Sequence, residues 1–236
     1  MTNHPPERPM QPGDRRELAA ALTLIEQGRW TEADWERLPP AKSNVLAAGI
    51  TGAGGAGKST LIAALVPWLR ERGLTVAVLA TDPSSPVTGG ALLGDRIRID
   101  ARPDDPGFYF RSFGTRGETG GISAAVAPAV RLLKSVGFDV VLVETIGAGQ
   151  DQVAVRACVD RLVLVLTPQA GDQIQLQKAG LLEVADVIAI NKADLPGADI
   201  LLAMMRECLP DIPVIPVVAA QGQGLERLWN AVTGQP

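Results

Sequence analysis

The sequence predicts an α/β fold with a mostly parallel central sheet, helices on both sides of it, and a short helical extension at the N-terminus. Two observations support this prediction. Short apolar, β-branched segments alternate along the chain with segments of helical periodicity, and most of the former are apolar at nearly every position. Strands that are buried on both faces have that composition, and alternation of strands with helices favours parallel pairing.

Composition limits the classes of protein to which the chain can belong. Its 46% hydrophobic and 20% charged residues are typical of a globular protein. The net charge of −4 argues against nucleic acid as the main partner, because phosphate backbones attract basic surfaces. No apolar segment approaches the roughly 20 residues that cross a bilayer, and residues 1–13 lack the apolar stretch of a secretory signal. We therefore expect a cytoplasmic protein that binds neither nucleic acid nor membranes.

The first 42 residues predict a tail and a helical extension ahead of the main domain, which we place at residues 43–236. A helix is expected over residues 14–27, with Asp14 as its cap and Gly28 at its end. It rests on four apolar side chains at helical spacing, which are Leu18, Ala21, Leu22 and Ile25. Pro39 and Pro40 then break the chain and mark the boundary.

The main domain is predicted to alternate between strands and helices. Strands are expected at residues 45–50, 75–80, 108–113, 140–144, 161–166, 187–191 and 214–218. Helices are expected at residues 58–72, 122–136, 174–184, 199–208 and 225–232. Ligands of such sheets bind at the carboxyl ends of the strands, so the loops that follow strands are the places to examine for function.

A glycine-rich loop after the first strand matches the phosphate-binding pattern G-x-x-x-x-G-K-[ST] and opens a predicted helix. Its glycines allow successive backbone N–H groups to face phosphates, and the helix N-terminus adds a partial positive charge. Lys58 is expected to reach the β- and γ-phosphates, and the Ser59 hydroxyl to bind Mg²⁺. The motif predicts a P-loop NTPase whose nucleotide-binding residues include Gly54, Gly55, Ala56, Gly57, Lys58, Ser59 and Thr60.

Acidic residues at strand ends are candidates for completing a magnesium site. Glu144 ends a buried strand and begins a D-x-x-G pattern with glutamate in place of aspartate, and its side chain could reach the metal's water shell. Gly147 ends that pattern and is expected to offer its N–H to the γ-phosphate, as a switch that senses hydrolysis. Asp82 and Asp95 are further metal or switch candidates, although spacing alone fits turn formation equally well. The candidate catalytic residues are Lys58, Asp95 and Glu144.

A second motif predicts that the nucleotide carries guanine. Residues 191–194 have the pattern N-K-x-D and follow an apolar strand about 130 residues after the P-loop. Asp194 can accept hydrogen bonds from N1–H and the 2-amino group of guanine, whereas adenine has neither donor. The Lys192 stem is expected to lie along the base, and Asn191 to tie this loop to the P-loop. The predicted ligand is GTP or GDP with Mg²⁺.

A later loop, residues 218–225, lies where GTP-binding domains often carry the pattern S-A-x-x-G-x-G. Ala219 occupies the position whose backbone N–H meets the guanine carbonyl oxygen. Val218 replaces the usual serine, so some support for the base loop is expected to be lost.

These motifs resemble those of the MeaB/ArgK family, the GTPases associated with methylmalonyl-CoA mutase in the SIMIBI class of P-loop proteins. The resemblance is dense over about residues 13–195. Within that span, the stretches that carry it besides the two motifs include residues 82–86, 93–96, 115–117, 144–150 and 170–173. It implies that Asp82, Asp95 and Glu144 lie around Mg²⁺ and its switches. It also implies that Gln169, Asp172 and Lys178 belong to a segment that relays the nucleotide state to the mutase.

The resemblance further implies a chaperone that uses GTP to gate cofactor loading, protection or reactivation of an adenosylcobalamin-dependent acyl-CoA mutase. Methylmalonyl-CoA is the first expectation for the substrate of that mutase, and isobutyryl-, 2-hydroxyisobutyryl- and ethylmalonyl-CoA are alternatives. No recognisable motif would bind cobalamin directly. The chain ends at Pro236 without the C-terminal arm through which the family dimerises, so the sequence leaves a homodimer open.

Hydrolysis by the isolated chain is expected to be slow. Ala148 follows Gly147 at the position where Ras-like proteins place a water-orienting glutamine, and His4 is the only histidine. A partner that orders the switches would then accelerate the reaction. The roles of Arg116 and Gln150 stay open.

Three other functions fit the same motifs less well. A metal-inserting SIMIBI GTPase would need tracts rich in histidine or cysteine, but Cys158 and Cys208 are the only cysteines and are predicted to be buried, reduced thiols. A partitioning ATPase would carry an extra lysine where this chain has Ala53. A small-molecule kinase would need an acceptor-binding signature, and none is recognised.

Overall fold

A parallel sheet forms the centre of the fold. The computed structural model describes residues 10–42, 44–82, 105–114, 124–145, 155–168 and 181–235, with the backbone alone for residues 82 and 181. Within these residues the sheet has seven strands in the order β3-β2-β4-β1-β5-β6-β7, and every neighbouring pair is parallel. They are β1 (Leu46–Gly52), β2 (Val76–Asp82), β3 (Phe108–Gly114), β4 (Val140–Glu144), β5 (Arg161–Leu166), β6 (Val187–Ile190) and β7 (Val214–Pro216).

Helices connect most of these strands. They are α1 (Arg15–Glu26), α2 (Glu32–Glu36), α3 (Lys58–Glu71), α4 (Val126–Val136), α5 (Leu181–Val184), α6 (Ala198–Cys208) and α7 (Leu225–Thr233), with short 3₁₀ turns at Val155–Cys158 and Ala219–Gln221. The predicted α/β fold is confirmed, and most predicted boundaries lie within two residues of these. None of the described helices combines the length and apolar character that a bilayer crossing requires.

Two predicted details of the helices are wrong. Asp14 occupies the N-cap position of α1 as predicted, but its side chain does not cap the helix, because the carboxylate turns back and accepts a hydrogen bond of 2.8 Å from the N–H of Gln11. Of the two cysteines predicted to be buried, Cys158 is half-buried and Cys208 is exposed. Cys208 ends α6 beyond the buried turns that contain Leu201 and Met205. Gly28 ends the first helix as predicted, with a φ of +66°.

The two faces of the sheet have separate apolar cores. On one face, Val141 and Val143 of β4 pack with α1 and α4, and on the other, Val140 and Leu142 pack with α3 and α7. Alternation along β4 therefore fills both cores, which explains why this strand is apolar at successive positions. Because α1 contributes Leu18 and Leu22 to the first core, the N-terminal helix packs directly on the sheet. The domain boundary near residue 42 stays a prediction.

An ion pair and a hydrogen bond attach the outer strand β3 to two helices. The Arg70 guanidinium of α3 makes two hydrogen bonds, of 2.8 and 2.7 Å, to the carboxylate of Asp105 just before β3. These bonds hold the pKa of Asp105 below its ordinary value and raise the pKa of Arg70 above its own. From α1, Arg15 donates to the carbonyl oxygen of Phe108 at 2.7 Å. The start of β3 is thus attached to both α3 and α1.

Candidate nucleotide-binding site

The predicted phosphate loop leaves the sheet between β1 and α3. Gly52 and Gly57 have φ values of +145° and +88°, which favour glycine. A Cβ atom at Gly52 would lie 2.3 Å from the carbonyl oxygen of Val165 in β5, and one at Gly57 would lie 2.3 Å from Nδ2 of Asn191. Both glycines are therefore required by close approaches as well as by backbone conformation.

Lys58 is held at the start of α3, directly over the loop that precedes it. Its Nζ donates hydrogen bonds to the carbonyl oxygens of Gly52, at 2.9 Å, and Ala53, at 3.1 Å. Only 8% of the residue is exposed, so the ammonium group is largely withdrawn from water. A buried cation at the N-terminus of a helix is suited to binding an anion such as a phosphate.

Ser59 and Glu144 meet beside the loop. The Ser59 hydroxyl donates a hydrogen bond of 2.5 Å to Oε1 of Glu144, which ends β4 and is 7% exposed. A hydroxyl and a carboxylate are both oxygen donors, the ligand type that Mg²⁺ prefers. This donor set fits magnesium, and it joins two residues that the sequence predicted as metal-binding from motifs 85 positions apart.

Asn191 connects the phosphate loop to the predicted base loop. Its side chain is buried, with Nδ2 donating to the carbonyl oxygen of Ala56 at 2.9 Å and Oδ1 accepting from the N–H of Ala219 at 3.1 Å. The N-K-x-D motif was predicted to tie the two loops together, and this contact confirms it. One amide group of the base loop therefore contacts both the phosphate loop and the loop after β7.

Lys192 and Asp194 complete the motif. Lys192 has a φ of +56°, and its Nζ donates to the carbonyl oxygen of Gly55 at 3.2 Å, so its stem spans from the base loop to the phosphate loop. Asp194 is exposed and makes no hydrogen bond with any other described residue. It lines a cleft of about 580 Å³ whose walls include Val218 and Trp68. Its carboxylate is thus available as an acceptor.

The loop after β7 closes on itself through its main chain. Val218 and Gln223 exchange two backbone hydrogen bonds, of 3.1 and 3.2 Å, around the 3₁₀ turn that begins at Ala219. The sequence predicted a loss of support for the base loop where Val218 replaces serine. These backbone bonds hold the turn by a route that does not depend on a serine hydroxyl.

Several predicted site residues lie outside the described part of the chain. They are Asp95, Arg116, Gly147, Gln150, Gln169, Asp172 and Lys178, and for Asp82, which ends β2, the side chain is also outside it. Their roles stay predictions. Three buried threonines near Glu144, which are Thr51, Thr81 and Thr145, were not predicted as part of the site. Thr51 and Thr81 directly follow apolar strand residues and Thr145 directly follows Glu144, and this placement was the available signal.

The chain matches the family model for the methylmalonyl-CoA mutase-associated GTPase MeaB over residues 18–235. This chain belongs to the MeaB family. The family resemblance is therefore confirmed, and the protein is a GTPase. The GTPase ArgK of Escherichia coli is 40% identical to it over 245 residues, which cover 95% of this chain and 73% of ArgK. A predicted GTPase of Pyrococcus horikoshii is 43% identical over 235 residues, which cover 94% and 74%.

Two other comparisons bear on partners and on fold. The fused isobutyryl-CoA mutase of Cupriavidus metallidurans is 42% identical over 194 residues, which cover 79% of this chain and 17% of that protein. The crystal structure of LAO/AO transport system kinase superposes with a TM-score of 0.70 at 29% identity, covering 94% of this chain and 70% of its own. The P-loop NTPase fold that the sequence predicted is thus confirmed.

Proposed function

We propose that this MeaB-family GTPase binds GTP with Mg²⁺ between the phosphate loop and the base loop, and that it serves as the GTP-dependent chaperone of an adenosylcobalamin-dependent acyl-CoA mutase. The observation that carries the nucleotide assignment is the pair of hydrogen bonds made by Asn191. Through Asn191, the first residue of the base loop, they join the phosphate loop at Ala56 to the loop after β7 at Ala219. A nucleotide that fits this frame has its phosphates at one loop and its base at the other.

Each part of the site has a distinct task in this proposal. Lys58 neutralises the β- and γ-phosphates, while Ser59 and Glu144 hold the metal directly and through its water shell. Magnesium bound there supplies charge that stabilises the transferring phosphoryl group. Asp194 accepts the N1–H and 2-amino donors of guanine, and Lys192 lies along the base. Adenine leaves the Asp194 carboxylate without those donors, which gives the preference for GTP.

The mutase partnership is supported by the family and by one relative. The family model describes a methylmalonyl-CoA mutase-associated GTPase, and a region similar to this chain occurs within a fused isobutyryl-CoA mutase. We infer that GTP binding and hydrolysis gate cofactor loading, protection or reactivation of the mutase. Gln169, Asp172 and Lys178 are proposed to relay the nucleotide state to it.

Nucleotide binding and hydrolysis test the first half of the proposal. Calorimetry with GDP, ADP and XDP should show binding of GDP alone, and Lys58→Ala should remove it. Lys42→Ala, which changes a lysine outside both loops, is the matched control and should bind GDP like the wild type. Tight binding of ADP by the wild type would overturn the guanine assignment.

Co-purification with candidate mutases tests the second half. The rate of GTP hydrolysis is measured alone and with methylmalonyl-CoA mutase or isobutyryl-CoA mutase, and adenosylcobalamin transfer to the mutase is followed by its absorbance. We expect slow hydrolysis alone and at least about tenfold acceleration by the cognate mutase, in the manner of switch GTPases. Lys178→Ala should reduce that acceleration more than the basal rate. A fast basal rate that no mutase changes would contradict the chaperone proposal.

A small-molecule kinase is the alternative that one observation favours, since the solved structure reported above has the name of a transport system kinase. Product analysis separates the two functions. A GTPase releases GDP and inorganic phosphate in equal amounts without any acceptor, whereas a kinase forms a phosphorylated acceptor. The metal-inserting alternative has less support, because the described residues contain no cluster of three or more His, Cys, Asp or Glu side chains that could hold a metal.

A further inference from the structure

Three buried threonines lie side by side at the carboxyl ends of β2, β4 and β1. In the sheet register, Ala80 of β2 and Ile50 of β1 flank Glu144 of β4, and each of these three residues is followed directly by a threonine. We call these threonines the threonine row, and it consists of Thr81, Thr145 and Thr51. Their exposed fractions are 4%, 2% and 0%.

Hydrogen bonds connect the row across all three strands. The Thr81 hydroxyl donates to the main-chain carbonyl oxygen of Glu144 at 3.1 Å. The Thr145 hydroxyl lies 3.1 Å from Oγ1 of Thr51 and 3.4 Å from the carbonyl oxygen of Ile50. The end of β4 is therefore attached through threonine side chains to β2 on one side and to β1 on the other.

The row lies behind the carboxylate that faces Ser59. Successive residues of a strand point to opposite faces of the sheet, so the threonines occupy the face opposite to the Glu144 side chain. That side chain reaches Ser59 of α3 with a hydrogen bond of 2.5 Å. The row therefore contacts the chain at residues 144 and 145 from both neighbouring strands, directly behind the carboxylate that reaches Ser59.

We propose that the threonine row positions Glu144 for the magnesium site, which makes Thr51, Thr81 and Thr145 positioning residues of the GTPase. This inference rests on the assignment of Ser59 and Glu144 to magnesium under the proposed function. Groups that orient the ligands of a metal commonly change its affinity by about 10- to 100-fold when they are removed. The row acts through Glu144 and touches neither nucleotide nor metal.

A solely structural role for the row makes a different prediction. Buried hydroxyls are paired in most proteins, and loss of one partner lowers stability wherever it occurs. Under that role, Thr145→Val would lower the unfolding temperature but leave the dependence on magnesium unchanged. A positioning role requires that magnesium dependence changes, and that a hydroxyl restored by Thr145→Ser corrects it.

The experiment measures release of a fluorescent GDP analogue as free Mg²⁺ is varied, for the wild type, Thr145→Val and Thr145→Ser. Magnesium is expected to slow release from the wild type. Thr145→Val should need about tenfold more Mg²⁺ for half of that effect, with release in EDTA unchanged, and Thr145→Ser should stay near the wild type. Thr75→Val removes a threonine hydroxyl that pairs with Asp139 at the opposite end of the sheet, and it should leave magnesium dependence unchanged.

A double variant distinguishes loss of positioning from a folding defect. Thr51→Val with Thr145→Val removes both partners of one contact and leaves no hydroxyl of that pair unsatisfied, so it should unfold at a higher temperature than Thr145→Val. Like Thr145→Val, it should need about tenfold more Mg²⁺ than the wild type for half of the effect on GDP release.

The outcomes separate this inference from the proposed function. If Glu144→Gln weakens magnesium dependence but both valine variants match the wild type, the metal assignment stands and the positioning role is overturned. Equal defects in Thr145→Val and Thr145→Ser would also overturn it. Release that is insensitive to Mg²⁺ in the wild type would overturn the metal assignment and this inference together.

Discussion

Asn191 and Ala56 are joined by a hydrogen bond of 2.9 Å between a side-chain amide and a main-chain carbonyl, although 135 positions separate them in the sequence. The same amide group accepts a hydrogen bond from the N–H of Ala219. Since the side chain is buried, water cannot easily replace either partner. Asn191 therefore helps to set the spacing between the phosphate loop and the base loop, together with the hydrogen bond from Lys192 to Gly55.

Replacement of Asn191 by alanine should weaken both stability and GDP binding. The carbonyl of Ala56 and the N–H of Ala219 would each lose a buried partner, at a cost of about 1–3 kcal/mol for each group. We expect GDP affinity to fall by at least about tenfold, measured by calorimetry, and the urea midpoint of unfolding to fall as well. Asn230→Ala in α7, outside both loops, is the control. Wild-type affinity in Asn191→Ala would refute the bridging role.

Two glycines of the phosphate loop should respond differently to alanine. Gly55 and Gly57 both have positive φ, so either substitution introduces backbone strain of roughly 1–2 kcal/mol. A Cβ at Gly55 meets nothing within 4 Å, whereas one at Gly57 lies 2.3 Å from Nδ2 of Asn191. Urea unfolding without nucleotide should therefore show a larger loss of unfolding free energy in Gly57→Ala than in Gly55→Ala. Equal losses would mean that the loop moves away from Asn191 at little cost.

Asp194→Asn should change the base preference of the protein. The amide places a donor where the guanine N1–H and 2-amino group need acceptors, but it can pair with the 2-carbonyl of xanthine. We expect GDP affinity to fall by about 100-fold or more and XDP affinity to rise, both measured by calorimetry. Asp199→Asn, an exposed aspartate in the first turn of α6, should bind GDP normally. Undiminished GDP binding by Asp194→Asn would end the base assignment.

The contact between Arg70 and Asp105 should contribute stability that is lost in acid. The folded-state pKa of Asp105 lies below its unfolded value of about 3.9, so the contribution is complete above that value and disappears as pH falls through the folded pKa. The raised pKa of Arg70 has no effect in this range, because arginine stays protonated in both states. The difference in unfolding free energy between wild type and Asp105→Asn should be constant from pH 6 to 8 and shrink below about pH 4.

A double-mutant cycle checks the origin of that pH dependence. In an Arg70→Gln background the partner that lowers the pKa of Asp105 is removed, so Asp105→Asn should cause a smaller difference that varies less with pH. Urea unfolding at several pH values measures all four proteins. An unchanged profile in the Arg70→Gln background would show that another group, such as the N–H of Gly107, is the main cause.

Local patterns in the sequence were sufficient to predict the parallel sheet and the ligand loops. Buried strands such as β4 are apolar on both faces, and the P-loop requires glycine wherever φ is positive, so both leave a clear pattern in neighbouring residues. The N-K-x-D motif also gave the contact between Asn191 and the phosphate loop, because that geometry follows from the motif and its place after a strand.

Features that depend on strand order were not predictable in this way. The threonine row exists because β4 lies between β2 and β1, and no local pattern states that Thr81 and Thr51 flank Thr145. The contact of Arg70 with Asp105 is likewise formed by residues 35 positions apart on different elements. Asp14 illustrates a different limit of prediction. The carboxylate of an aspartate before a helix can accept a hydrogen bond from an N–H of the first helical turn or from one that precedes it in the chain, and here it accepts from Gln11.

The turn between Val218 and Gln223 is held by main-chain hydrogen bonds, which nearly any side chain at those two positions would permit. Variation of these two side chains is consequently compatible with an intact turn. Sequence searches that demand serine at the first of these positions would discard proteins able to bind GTP. A better search criterion is the pair of glycines at 222 and 224, whose positive φ angles allow the chain to reverse and enter α7.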